Sequence, residues 1–230
     1  MALAPGAGAP AIRRMFDAVA PRYDLLNRIL SGGIDRRWRR ALAAAVVGDN
    51  PAGGRYLDLA TGTGDCLAAL RARDATARVA GVDLSGEMLR RARPKNPDTA
   101  LLVADAVALP FADAAFDGAT VAFGVRNMPD RLGALRELAR IVRRGGRVAV
   151  LELVEPASPL ARLYVHHLVP RMAAVLAGRA APAYRYLEES IAAFPEPPAF
   201  ACTMGAAGLR AVTFRRLFPG ACALFVGARP

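Results

Sequence analysis

The stretch YLDLATGTGD, residues 56–65, decides the fold. Its first half is an apolar run of strand length, and its second half is a G-x-G turn that leads straight into GDCLAALRAR, a helical composition. A strand that turns through glycines into a helix opens a doubly wound α/β sheet, because glycine lets the backbone turn tightly and approach a ligand closely. Downstream the pattern repeats. ARVAGVDLS reads as a second strand, GEMLRRAR as a helix, TALLVADA as a third strand and FDGATVAFGV as a fourth. LGALRELARIVR follows with helical spacing at Leu132, Leu135, Leu138, Ile141 and Val142, and GRVAVLELV is a fifth strand. Such alternation predicts a mostly parallel sheet with crossover helices.

The two ends differ from the middle. LRAVTFRRLF and ACALFVGARP are strand-like runs separated by Pro219 and Gly220, which predicts an antiparallel C-terminal hairpin at the sheet edge and seven strands in all. Residues 11–47 read as helical. Residues 155–200 leave the last parallel strand on a long excursion, with ARLYVHHLVPRMAAVLAG and YRYLEESIAAF helical and PEPP breaking them, and a lid is expected there. The organisation expected is a flexible tail over 1–10 and one domain over 11–230. Within it, 11–50 form an N-terminal helical cap and 155–200 a helical lid insertion. No internal repeat is visible.

Composition narrows the class. The chain has 230 residues, 54% of them hydrophobic and 22% charged, which describes a globular protein with a full-sized core. No apolar run approaches the roughly 18 residues that span a bilayer, and MALAPGAGAP lacks the basic and apolar regions of a signal peptide. A cytoplasmic protein is expected, peripheral to a membrane at most. Cys66, Cys202 and Cys222 are odd in number and far apart, so neither a disulfide framework nor a zinc site is expected, and each reads as a small core residue. The formal charge of +11 raises nucleic acid as a partner. Lys95 is the only lysine among the 31 basic residues, and that skew reads as coding bias. No block interleaves the arginines with aromatics to stack bases. RRWRR, 36–40, is the densest cluster and reads as a solvated helix face, with a membrane-surface or substrate-entry role left open.

The glycine loop alone could serve NAD, FAD or S-adenosylmethionine. A dinucleotide site usually carries a third glycine and presents a helix N-terminus to pyrophosphate, whereas here Gly62 and Gly64 are followed by Asp65 and Cys66. An acidic residue at a helix start competes with phosphate for that positive end, but suits the cationic, phosphate-free amino-acid end of S-adenosylmethionine. VDLS sets Asp83 about 20 residues past the glycines, as expected for a carboxylate that accepts from two ribose hydroxyls. Asp105 and Ala106, at the end of the third strand, are placed to hold an adenine edge.

The fourth strand raises a separate question, because TVAFGVRNMPD, 120–130, runs apolar and then sets Arg126 beside Asn127 at the carboxyl end, where open α/β sheets bind ligands. With these pieces in place the sequence resembles the C-methyltransferases of menaquinone and ubiquinone biosynthesis, from about Met15 to about Ala228. The resemblance is carried by FDAVAPRYDLLNRILSGGIDRRWRR, LDLATGTGD, ADAVALPFADAAFD, FGVRNMPD and YRYLEESI. It implies a class I S-adenosylmethionine-dependent methyltransferase fold with the cofactor touching Thr63, Asp83, Asp105 and Ala106. The family often has serine before the FG of FGVRN. Ala122 stands there in this chain, where a backbone contact would survive and a hydroxyl contact would not.

The reaction implied is methyl transfer to a ring carbon of a reduced polyprenyl quinone, with demethylmenaquinol the expected acceptor and a methoxy-polyprenyl benzoquinol the alternative. Loss of a phenolic proton makes such a carbon nucleophilic, so Arg126 is assigned electrostatic stabilisation of the resulting charge and Asn127 orientation of the ring oxygen or of a water. A guanidinium keeps its proton, which excludes Arg126 as a general base. Tyr23, from PRYD, is expected to add a hydrogen bond over the ring, with Asp24 beside it. In a purely structural reading, Arg126 pairs with a carboxylate such as Asp130 and Tyr23 is a core residue. The resemblance further implies a polyprenyl quinol as partner, contact with the membrane surface, a homodimer as an available assembly, no nucleic acid and no metal. A nucleic-acid methyltransferase and a non-catalytic scaffold are the competing readings. The first should show an N/D-P-P-Y/F motif or a nucleophilic cysteine, and FGVRNMPD offers neither. The second needs Asp83 but not Arg126.

Overall fold

The computed structural model of the chain describes residues 8–49, 53–158, 162 and 181–230. The tail expected over 1–10 lies mostly outside the described residues, as do His166, His167 and nearly all of the helical stretch 161–178. The first helix, α1 (Ala9–Val19), begins inside the expected tail, with Pro10 in its first turn, where proline's fixed φ suits a helix start. A 3₁₀ turn (Ala20–Arg22), α2 (Tyr23–Ser31) and α3 (Asp35–Val47) complete the N-terminal helices.

Five strands then pair in parallel: β1 (Arg55–Leu59), β2 (Arg78–Asp83), β3 (Ala100–Val103), β4 (Phe116–Ala122) and β5 (Val142–Leu153). The helices α4 (Asp65–Arg73), α5 (Gly86–Lys95) and α6 (Arg131–Ile141) cross between them. Two further helices, α7 (Ala181–Ala192) and α8 (Pro197–Ala206), precede the antiparallel strands β6 (Arg210–Leu217) and β7 (Cys222–Ala228). The sheet order is β3-β2-β1-β4-β5-β7-β6, so the hairpin folds back and β7, not β6, lies against β5. The helix expected to run through Val142 stops at Ile141, and its last residues become the start of β5.

Alternation along the strands builds a core on each face. Val148 and Val150 of β5 point to one side, where Leu135 and Leu138 of α6 and Phe200 and Met204 of α8 pack. Ala149 and Leu151 point to the other, against Trp38 and Leu42 of α3 and Leu67 and Leu70 of α4. The reading of RRWRR as a solvated face needs correction. Arg36, Arg37 and Arg40 are exposed, but Trp38 and Arg39 are each only 7% exposed because α3 lies flat on the sheet. Cys202 is likewise exposed rather than a core residue, while Cys66 and Cys222 are buried.

Closeness between α3 and the sheet depends on Gly118 of β4. A Cβ there would come within 2.5 Å of Val46 Cγ2, 3.0 Å of the Arg147 carbonyl and 3.3 Å of Tyr56 Cδ1. Gly118→Ala is therefore expected to cost about 1–3 kcal/mol through overpacking, read as a lowered urea midpoint at unchanged slope.

Candidate active site

The chain proceeds from β1 to β2 and β3 on one side and then crosses back to β4 on the other, so the carboxyl ends of β1 and β4 diverge. A cleft of about 800 Å³, its open mouth included, lies at that point. One wall is the strand ends and the other is the N-terminal helices, which contribute Ile12, Phe16 and Tyr23. Those helices are held by side chains. Asp17 accepts from the hydroxyl of Ser85, the N-cap of α5, and Asp24 accepts from the hydroxyl of Thr63 and from Lys95 Nζ at 2.9 Å.

Backbone conformation shapes the floor. Ala60 and Phe123, just past the ends of β1 and β4, have φ of +52° and +59°, a region that side chains with a Cβ avoid. Phe123 is pinned there. Its N–H donates to the Leu151 carbonyl at 2.8 Å, and its carbonyl accepts from Arg126 Nη1 at 2.7 Å and Asn127 Nδ2 at 3.3 Å. Its ring lies 5.4 Å from the Arg39 guanidinium, which is itself ion-paired to Asp35.

Beneath the floor, Asp58 is 1% exposed and accepts from Thr61 Oγ1 at 2.6 Å and Thr120 Oγ1 at 2.7 Å, tying β1, the glycine loop and β4 together. Burial pushes its pKa up to about 6, against the two hydrogen bonds that oppose the shift.

Most of the residues singled out from the sequence meet at this cleft: Gly62, Asp83, Asp105, Ala106, Ala122, Tyr23 and Asn127 all line it. Asp83 accepts from Gly62 N–H and Ser85 N–H at 2.8 Å each, one bond per oxygen, which leaves a lone pair on each oxygen for a ligand. Its pKa is raised by burial, with the two backbone bonds opposing. Asp105 is exposed and accepts from Val107 N–H at 3.2 Å. Tyr23 is buried enough that its pKa is raised, with the hydrogen bond to Asn27 and the charges of Arg126 and Arg39 pulling the other way.

Three residues stand back from it. Thr63 is 3% exposed, with its hydroxyl engaged by Asp24. Gly64 faces α5, where a Cβ would meet Asn96 Nδ2 at 2.4 Å, so its lack of a side chain serves helix packing. Arg126 lies behind the cleft wall. Its Nη1 donates to Glu152 Oε1 at 2.6 Å and its backbone N–H to Glu152 Oε2 at 3.0 Å, so its carboxylate partner is Glu152. Asp130 instead caps α6 by accepting from Gly133 N–H at 2.8 Å. Asp65, expected to face a cationic ligand end, accepts from Lys95 Nζ at 2.8 Å.

Sequence reasoning missed Glu152, Asp58 and Arg39. A carboxylate inside an apolar strand was the available signal for the first two, since a buried charge requires partners. The residues fit S-adenosylmethionine. The lining carries Asp83, Asp105 and Asp130 and, among the described residues, no Lys, Arg or His that would neutralise a pyrophosphate. No group of three metal-binding side chains occurs among the described residues.

The pattern of the ubiE/COQ5 methyltransferase family matches residues 6–229. The chain belongs to that family. A demethylmenaquinone methyltransferase from Deinococcus radiodurans is 44% identical to this methyltransferase over 225 residues, covering 94% of this chain and 92% of the relative. A ubiquinone/menaquinone biosynthesis C-methyltransferase from Syntrophotalea carbinolica is 45% identical over 227 residues, covering 94% and 93%. An S-adenosylmethionine-dependent methyltransferase from Thermotoga maritima superposes with a TM-score of 0.67 over 95% of this chain and 100% of that one, at 18% identity, a likeness of fold.

Asp58 makes the methyltransferase's stability depend on pH. Its folded pKa, about 6, lies above the ordinary 3.8, so the folded state holds the proton more tightly than the unfolded chain. The stability this provides is full below about pH 4 and lost as pH rises through about 6, on the order of 3 kcal/mol in all. Denaturation of wild type and Asp58→Asn across that range should show the slope in the first and its loss in the second.

Proposed function

We propose that the chain transfers a methyl group from S-adenosylmethionine to a ring carbon of a reduced polyprenyl quinone, with demethylmenaquinol the leading acceptor. Membership of the family supports the reaction, and one structural observation carries it to this cleft: among the described residues its lining bears carboxylates and no cation, while an amide and a phenol, Asn127 and Tyr23, face the same space. The bound cofactor supplies an electrophilic methyl on a sulfonium.

The chain's own residues do the rest. The free lone pairs of Asp83 accept from the ribose hydroxyls, Asp105 and Ala106 hold the adenine edge, and Gly62 and Ala122 let the backbone come close. Thr63 and Gly64 act from beneath, by fixing Asp24 and α5. Asn127 and Tyr23 position the acceptor's oxygen, and the Arg126 region behind them favours the phenolate that makes the ring carbon nucleophilic. Asp24 supports the wall that carries Tyr23. We read residues 11–230 as one domain, with 11–50 the cap and 155–200 the lid, in which Tyr186, Ile191 and Phe200 are buried.

No helix among the described residues is long and apolar enough to cross a membrane. A peripheral contact is supported by Phe218, 81% exposed at the β6–β7 turn, whose carbonyl accepts from Trp38 Nε1 at 2.9 Å beside the exposed Arg36, Arg37 and Arg40. That contact would bring the mouth to where a polyprenyl tail resides.

Labelled S-adenosylmethionine offered with demethylmenaquinol and with the methoxy-polyprenyl benzoquinol in separate reducing reactions tests the reading. Label should appear in demethylmenaquinol. Label in both would make the enzyme dual, and label in neither, with the cofactor still bound, would overturn the quinone assignment. Asp83→Ala should weaken cofactor binding about 10- to 100-fold by calorimetry, the worth of hydrogen bonds to a charged acceptor. Arg126→Ala should abolish transfer while cofactor binding persists.

A further inference from the structure

Five buried side-chain polar atoms lack a hydrogen-bond partner among the described residues, and three of them belong to residues linked by hydrogen bonds: Arg126 Nε and Asn127 Oδ1, whose side chains share the Phe123 carbonyl, and Arg131 Nε, whose guanidinium donates to the Arg126 carbonyl. Of the three residues, Asn127 lines the cleft, so its unmet acceptor suits a hydroxyl that can donate to it, while the unmet Nε donors of Arg126 and Arg131 lie behind. The charge around them is unbalanced as well. Glu152, at 0% exposure, accepts three hydrogen bonds, from the Arg126 backbone and guanidinium and from its own Leu153 N–H at 2.9 Å. Arg131 donates Nη2 to the Arg126 carbonyl at 3.1 Å and lies 5.4 Å from the Phe194 ring, but has no ion pair among the described residues. Two guanidiniums against one carboxylate leave a single positive charge in a partly desolvated place.

Among the described residues, the other groups facing this island do not cancel that charge. Tyr186 of α7 and Cys222 of β7 are neutral, with burial raising both pKa values. Tyr23 is neutral for the same reason, and Arg39 is paired with Asp35. Asp130 is exposed and engaged as the cap of α6. An uncompensated charge away from water is costly unless an anion arrives to match it.

We infer that Arg131, rather than Arg126, supplies the net positive charge that draws the acceptor's hydroxyl toward its anionic form. The inference rests on the quinol reading of the cleft. In this arrangement the hydroxyl donates toward Asn127 Oδ1, its O–H bond breaks with the electron pair left on oxygen, and the proton leaves to solvent water. Arg126 contributes direction through its donors, with its charge largely cancelled by Glu152. Arg131 touches no ligand and acts as an electrostatic positioning residue through the short helical turn that carries Arg126 and Asn127.

The test reads ionisation rather than turnover. A prenylated α-naphthol is bound to the full chain in the presence of S-adenosylhomocysteine, and the naphtholate absorbance is followed against pH. Wild type should ionise the bound naphthol at lower pH than free solution does. Arg131→Gln should lower the bound naphtholate-to-naphthol ratio at fixed pH by roughly tenfold, the scale of losing one nearby charge at intermediate dielectric. Arg131→Lys should leave the midpoint in place, and Glu152→Gln should move it the opposite way from Arg131→Gln. If Glu152→Gln fails to fold, the two Arg131 variants decide alone. Arg131→Gln binding the naphthol with the wild-type midpoint, or both glutamine variants shifting in one direction, would overturn the inference, as would failure of wild type to bind the probe. Methyl transfer to quinols by wild type alongside unmoved midpoints sinks this inference alone. Absence of any transfer sinks the quinol reading and this inference with it.

Discussion

The carboxylate of Asp58 ties together the two strands between which the cleft opens. Parallel strands at a switch point diverge, and little but side chains can hold their ends in register there. Asp58 does so from within β1, reaching Thr120 on β4 with one oxygen and Thr61 in the glycine loop with the other. The strained corners at Ala60 and Phe123 sit directly above that tie. Backbone conformations that cost about 1–3 kcal/mol each persist only where their surroundings over-determine them, and here the surroundings are this buried knot and, at Phe123, the bonds to Leu151, Arg126 and Asn127.

From that fixed floor, each wall of the cleft has its own physical origin. The carboxylate of Asp83 reaches the cleft through strand geometry and is oriented by two backbone amides, so its placement follows from the sheet. The opposite wall is attached by side chains, through Asp17 to Ser85, through Asp24 to Thr63 and Lys95, and through the buried Ile12. One wall is therefore part of the sheet, and the other is held by a few hydrogen bonds, each worth about 1 kcal/mol net, together with the burial of Ile12 and Ala20. A ligand enclosed by both need not unfold any strand to enter.

Much of this was legible in the sequence, because strand alternation, the glycine turn and the acids at strand ends are local signals. The parallel strands, the crossover helices and the C-terminal hairpin follow from such signals, as do Asp83, Asp105 and Asn127 at the cleft. Partners distant in sequence were not legible. Nothing near Arg126 points to Glu152, 26 positions away and met only because β5 lies beside β4. The burial of Arg39 within a run that looks solvated depends on how α3 lies on the sheet, and the diversion of Asp65 to Lys95 on where α5 ends. Pairings of this kind are set by tertiary geometry, which no local pattern encodes.

Lys95 gives the movable wall a chemical consequence. It is the only side-chain amine in the chain, and its ammonium is held between Asp24 of the cap and Asp65 of the glycine loop's helix. An amine clasped by two carboxylates is shielded from a bulky acylating reagent, whereas one released to water is open to it. Acylation read at Lys95 by peptide mass would therefore report whether the cap is docked, without mutation and with no second lysine to compete.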